Sequence, residues 1–180
     1  ASVFVANEIA ALVKIRQLEG KPCVLGLATG STPTRVYAEL IKIHKEGGLS
    51  FKNVHTFNLD EYYPIDPESL QSYVRFMKEH LFNHIDILKK NINIPDGTLK
   101  KEKVQDYCIQ YEKKIESLGG IDLQVLGVGR TGHIGFNEPI SSLASPTRIK
   151  TLTMQTREDN ARFFDGDISQ VPTHVLTQGV

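Results

Sequence analysis

The apolar positions of the chain fall into alternating helical and strand-like blocks. Val5, Ile9, Leu12 and Val13 recur at helical spacing, and Gly20 follows as a stop signal. Cys23-Val24-Leu25-Gly26-Leu27 is a continuous apolar run between Pro22 and a Gly/Ser/Thr cluster, the pattern of a buried strand. Thr32-Pro33 predicts a helix start, with Thr32 as N-cap and Pro33 in the first turn. Val36, Leu40 and Ile43 would form its inner face, and Gly47-Gly48 its end. Val54 to Leu59 predicts a second strand. Leu70, Tyr73, Val74, Met77 and Leu81 mark another amphipathic helix, and Val104, Cys108, Tyr111, Ile115 and Leu118 a further one that stops at Gly119-Gly120. Ile121 to Leu126 predicts a third buried strand, Arg148 to Thr153 a fourth extended segment, and a short helix is expected around Asn160. Strands alternating with helices imply an α/β fold, a parallel sheet covered by helices on both faces.

Composition narrows the class. At 180 residues, a single domain spanning 1–180 is expected. Lys+Arg and Asp+Glu both number 21, and no segment gathers basic charge, so neither a nucleic-acid nor a membrane partner is expected. Cys23 and Cys108 lie on apolar faces and read as core residues of a reducing compartment. Asn7 and Glu8 interrupt the place where an export signal needs its apolar stretch, which points to a cytoplasmic protein. The chain starts at Ala1 and stops inside the apolar stretch Val175 to Val180, which suggests a domain incomplete at its C-terminal end.

Ligands of such sheets bind at the carboxyl ends of the strands, and three strand ends carry chemistry. Ala28-Thr29-Gly30-Ser31-Thr32-Pro33 joins a strand to a helix, and backbone N–H groups with small hydroxyls suit a phosphate. It is not a Walker A loop, since no lysine follows the glycine, and a plain capped turn is the competing reading. Phe57-Asn58-Leu59-Asp60-Glu61 places two carboxylates together at a buried strand end, where repulsion and desolvation raise at least one pKa and prepare a proton carrier. A solvated acidic turn is the bland alternative. Gly127-Val128-Gly129-Arg130-Thr131-Gly132 spells a dinucleotide fingerprint, but the following His133 to Pro139 has no helical period. Nicotinamide and flavin are therefore disfavoured. His133 and Glu138 remain as a proton-transfer pair, or as a structural loop contact.

Leu25 to Pro33, Phe57 to Tyr62, Gly132-His-Ile-Gly-Phe-Asn-Glu-Pro139 and Ser141 to Leu152 resemble the glucosamine-6-phosphate deaminase family over essentially the whole chain. The resemblance implies a Rossmann-like sheet and no metal or organic cofactor. It also implies conversion of glucosamine 6-phosphate and water to fructose 6-phosphate and ammonia. By the same resemblance, Thr29, Gly30, Ser31, Thr32 and Arg162 would bind phosphate, with Glu61 and Gly132 also at the substrate. Asp60 would move the C2 proton to C1, and His133, oriented by Glu138, would open the pyranose ring. Ser142, Arg148 and Lys150 match an allosteric pocket found in some hexameric members, so a homo-oligomer is one expectation. The family's aspartate before Gly132 is Thr131 here, which predicts slower or pH-shifted ring opening, or ring opening carried by Glu138 alone; Arg130 could compensate by contacting an anionic group. The family also continues past the position of Val180, through further strands and a lysine that approaches the phosphate. The alternatives are a 6-phosphogluconolactonase-like hydrolase and a non-catalytic sugar-phosphate-sensing domain.

Overall fold

In the computed structural model, which describes residues Ala1 to Val180, the expected helices form in sequence order, although the one expected from Leu70 begins only at Tyr73 and leaves Leu70 71% exposed outside it. Helix α1 (Ser2–Leu18) buries Ala6, Ile9, Ala10 and Val13, and Gly20 leaves it with φ +67°. Strand β1 (Cys23–Leu27) is buried at all five positions. Helix α2 (Thr34–Gly47) ends on Gly48 in the left-handed region, φ 66°, which costs glycine nothing.

The helix start differs from expectation. Thr32 lies in a turn, Pro33 occupies the N-cap position, and no side chain caps the helix. Thr34 instead turns its hydroxyl back onto the Ser31 carbonyl, at 2.6 Å. The first N–H groups of α2 thus have no side-chain acceptor from the protein.

Strand β2 (Val54–Asn58) pairs parallel to β1 from Cys23↔Val54 to Leu27↔Asn58. Two short strands, β4 (Ile92–Asn93) and β5 (Leu123–Gln124), complete a four-stranded parallel sheet in the order β4-β2-β1-β5. Helices cover both faces. Cys23, Leu25, Leu27 and Val54 pack with Ile9, Val13, Tyr37, Leu40 and Met77 on one side, the last from α3 (Tyr73–His80). Val24 and Phe57 pack against Tyr111 and Ile115 of α4 (Val104–Ser117) on the other. Each fully buried side chain of this size contributes about 1.5–3 kcal/mol of transfer free energy.

Two expectations need correction. The run Ile121 to Leu126 is not a buried strand: only Leu123–Gln124 pairs, at the sheet edge, both residues are half-buried, and Leu126 is 51% exposed. An edge strand has one neighbour, so an apolar run alone does not establish burial on both sides. The parallel sheet is also not the whole architecture. After a single residue, Leu59, the chain leaves β2 and enters β3 (Asp60–Tyr63), which belongs to a second, antiparallel sheet in the order β3-β7-β6. Here β7 (His174–Thr177) pairs with β3 from Asp60↔Thr177, and β6 (Arg148–Thr151) pairs with β7 from Arg148↔Thr177. The predicted fourth segment therefore forms, but in a different sheet. Leu59 stitches the two together: its N–H donates to Leu27 at 3.0 Å and its carbonyl accepts from Gln178 at 2.8 Å. Helix α5 (Met154–Asn160) follows β6, and beside the second sheet Tyr62, Phe136, Leu152, Phe164 and Val175 form a separate core. No helix is long and apolar enough to cross a membrane.

Candidate active site

The crossing between sheets places Asp60 in the wall of a cavity of about 930 Å³. Its side chain is 7% exposed, and burial, reinforced by the neighbouring Glu61 charge, pushes its pKa up to about 8. No hydrogen bond opposes that shift. A carboxyl group so placed exchanges a proton near neutral pH, as a general base must.

Glu61 has another task. It is fully buried, and its carboxylate accepts from the backbone N–H groups of Tyr62 (2.9 Å), Tyr73 (3.0 Å) and Val74 (3.0 Å). Together with Ser72, whose hydroxyl accepts from Arg75 N–H, it closes the N-terminus of α3. Burial pushes its pKa up to about 7, while the three N–H donors pull the other way. The expected substrate contact by Glu61 is thus not what its geometry offers: alternation along β3 sends this carboxylate away from the cavity that Asp60 and Tyr62 line.

The Thr29–Thr32 loop at the end of β1 lines the same cavity, with Gly30 at φ +108°. Its neighbour is the open N-terminus of α2, a combination suited to a phosphate. Arg162 lies on the rim, its guanidinium 4.7 Å from the Phe163 ring centre. The loop and the arginine line the same cavity.

The third cluster folds as a tight loop without helix. Gly129 N–H donates to the His133 carbonyl (2.8 Å), and Gly132 N–H to the Gly129 carbonyl (2.9 Å). Gly132, at φ +85°, makes this turn possible and does not itself line the cavity, so its expected role at the substrate becomes one of backbone shape. The turn brings the His133 ring into the cavity wall, stacked at 6.2 Å on Phe136. Gly129 is needed beside it, because a Cβ there would overlap the imidazole at Nε2. His133 and Asp60, far apart in sequence, therefore face one space.

Glu138 stands behind the histidine and outside the cavity wall. Its Oε1 is 3.7 Å from His133 Nδ1, too long for a hydrogen bond. The contact runs through Thr131, whose hydroxyl lies 2.9 Å from Nδ1 and 2.7 Å from Glu138 Oε2. Thr153 and Thr156 add two further hydroxyls to Oε1. Burial raises the Glu138 pKa, but these hydroxyls and the imidazole outweigh it, and the group is held below its ordinary value. Arg130 reaches Asp159 of α5 at 3.3 Å and anchors the loop from outside.

Sequence reasoning passed over Gly129 as a spacer and Thr153 and Thr156 as partners of Glu138. Thr153 caps α5, its hydroxyl accepting from Thr156 N–H. Asn160, which donates to the Tyr62 hydroxyl at 3.0 Å and lines the cavity, left no signal. Ser142, Arg148 and Lys150 do not line the cavity. Ser142 accepts from Ala144 N–H, and Arg148 donates to the Pro146 carbonyl. No group of three or more His, Cys, Asp or Glu side chains is placed to hold a metal ion.

A family model described as "Glucosamine-6-phosphate isomerases/6-phosphogluconolactonase" matches residues 2–136. The chain belongs to this family. Within it, the glucosamine-6-phosphate deaminase of Tolumonas auensis is 56% identical over 160 residues, 89% of this chain and 59% of that protein. The Hahella chejuensis deaminase is 54% identical over 167 residues, 92% of this chain and 62% of that protein. The chain thus spans about three fifths of the length of these curated relatives. Among solved structures, a monomeric glucosamine-6-phosphate deaminase superposes with a TM-score of 0.92 at 42% identity, covering 99% of this chain and 71% of that one. The 6-phosphogluconolactonase of Thermotoga maritima superposes at 0.72 with 23% identity, covering 99% and 72%, and shares the fold.

Proposed function

We propose that this chain carries the core of a glucosamine-6-phosphate deaminase. The observation that supports it most is the convergence of Asp60, His133 and the Thr29–Thr32 loop on one cavity. The phosphate sits on the loop and the α2 N-terminus, with Arg162 at its edge. His133 accepts the proton of the anomeric hydroxyl and returns one to the ring oxygen as the C1–O bond breaks, leaving an aldehyde at C1. Asp60 takes the C2 proton, the electron pair forms a C1–C2 double bond, and the C1 carbonyl oxygen takes a proton from water to give an enol; Asp60 then returns its proton to C1 as the amine lone pair closes the C2=N bond. The resulting C2 iminium adds water and expels ammonia, so glucosamine 6-phosphate and water become fructose 6-phosphate and ammonia.

The test is release of ammonia and fructose 6-phosphate in equal amounts when purified protein meets glucosamine 6-phosphate between pH 6 and 9. Absence of both products across that range sinks the reading. Hydrolysis of 6-phosphogluconolactone instead would transfer the chain to the lactonase branch. Calorimetric binding of glucosamine 6-phosphate without product would mark a sensing domain.

A further inference from the structure

We propose that Thr131 is a positioning residue that holds His133 as its Nδ1–H tautomer and presents a bare Nε2 to the cavity. The argument is a proton count. A threonine hydroxyl has one proton to give and lone pairs to receive. Thr131 Oγ1 lies between two partners, Glu138 Oε2 at 2.7 Å and His133 Nδ1 at 2.9 Å. Glu138 takes hydroxyls from Thr131 and Thr156, with the Thr153 hydroxyl 3.3 Å from Oε1 and donating to Thr156, a setting made for an ionised, accept-only carboxylate. If the Thr131 proton went to Nδ1, two lone pairs would face each other at 2.7 Å. The proton therefore belongs to Glu138, and Nδ1 must donate.

The other ring nitrogen then has no proton. Nε2 stands beside Gly129, at a place where any Cβ would overlap it, within the wall of the cavity. That nitrogen is free to take a proton from a bound hydroxyl. Once the ring is charged, Nδ1 is still a donor and Thr131 still an acceptor, so no hydrogen bond has to reverse. The Glu138 charge reaches the imidazolium through one hydroxyl, because the direct distance of 3.7 Å is too long. A hydroxyl thus performs the orienting part of what a carboxylate would do in its place, while the charge is held one residue further back. The tautomer follows from the geometry alone; its use in opening the sugar ring rests on the deaminase reading.

Nitrogen NMR of histidine-labelled protein tests this directly, with His133→Gln identifying the relevant signals. Unmodified protein and Thr131→Ser should show a protonated Nδ1 and a bare Nε2. Thr131→Val, similar in size, should move most of His133 to the Nε2–H form. With glucosamine 6-phosphate, Thr131→Val should lower kcat about ten- to hundredfold with KM changed less than about threefold, and Thr131→Ser should restore kcat. A dominant Nε2–H form in unmodified protein, or an unchanged tautomer in Thr131→Val, overturns the proposal. Lack of any turnover would remove the deaminase reading, whereas the nitrogen assignment stands or falls on the spectra.

Discussion

One carboxyl group lies in the cavity wall and another behind it, past His133, and their surroundings tune them in opposite directions. Asp60 is buried without a hydrogen bond, beside another acid, and its pKa rises to about 8. Glu138 is about as far from bulk solvent as its histidine, yet three hydroxyls surround it and its pKa falls. Desolvation without donors makes a group that picks up and releases a proton; donors around a carboxylate make a fixed charge. Residue type alone would not distinguish them, since both are carboxylic acids within two residues of an aromatic side chain.

Removing the proton carrier should break this contrast most severely. Asp60→Asn is expected to cut turnover of glucosamine 6-phosphate by about 10²–10⁴-fold while far-ultraviolet circular dichroism stays that of the unmodified protein. A loss of less than tenfold would mean that Asp60 is not the base. The pH profile sharpens the same point. With Asp60 as the proposed base, only its ionised form would accept the C2 proton, so kcat/KM should rise with pH through about 8 and be about a hundredfold lower at pH 6 than its plateau. Stability should move the opposite way. The folded state holds this proton more tightly than the unfolded chain does, so stability attributable to Asp60 is complete below pH 4 and declines between about pH 4 and 8. Urea midpoints of Asp60→Asn should decline less steeply over this range, the remainder coming from Glu61, and an equal slope in both proteins would contradict it.

Behind His133, Glu138→Gln should reduce kcat about ten- to hundredfold, less than Asp60→Asn, because the amide still occupies the hydroxyl cluster but carries no charge. An effect equal to that of Asp60→Asn would erase the proposed difference between carrier and fixed charge. The smallest effect belongs to Glu61→Gln. Weakening the closure of the α3 N-terminus should cost about 1–2 kcal/mol in urea unfolding and leave KM for glucosamine 6-phosphate within about twofold. A large rise in KM would return Glu61 to the substrate.

Much of this molecule is written locally. Helical spacing, glycine stops and the Cys23–Leu27 run fixed α1, β1, α2 and α4 closely, because such elements answer to neighbours a few residues away. The three strand-end motifs also identified the cavity's principal walls. Tertiary structure decided what lies between them. The antiparallel sheet joins Asp60 to Thr177, and no local period signals a pairing over that separation. Its presence is why Asp60 faces the cavity while Glu61, one residue later on an alternating strand, closes a helix. Likewise the residue type of Thr131 suggested only a missing charge. The charge turned out to stand behind it, reached through a hydroxyl that a one-dimensional motif cannot orient, because the direction of a hydrogen bond is set by everything around both of its ends.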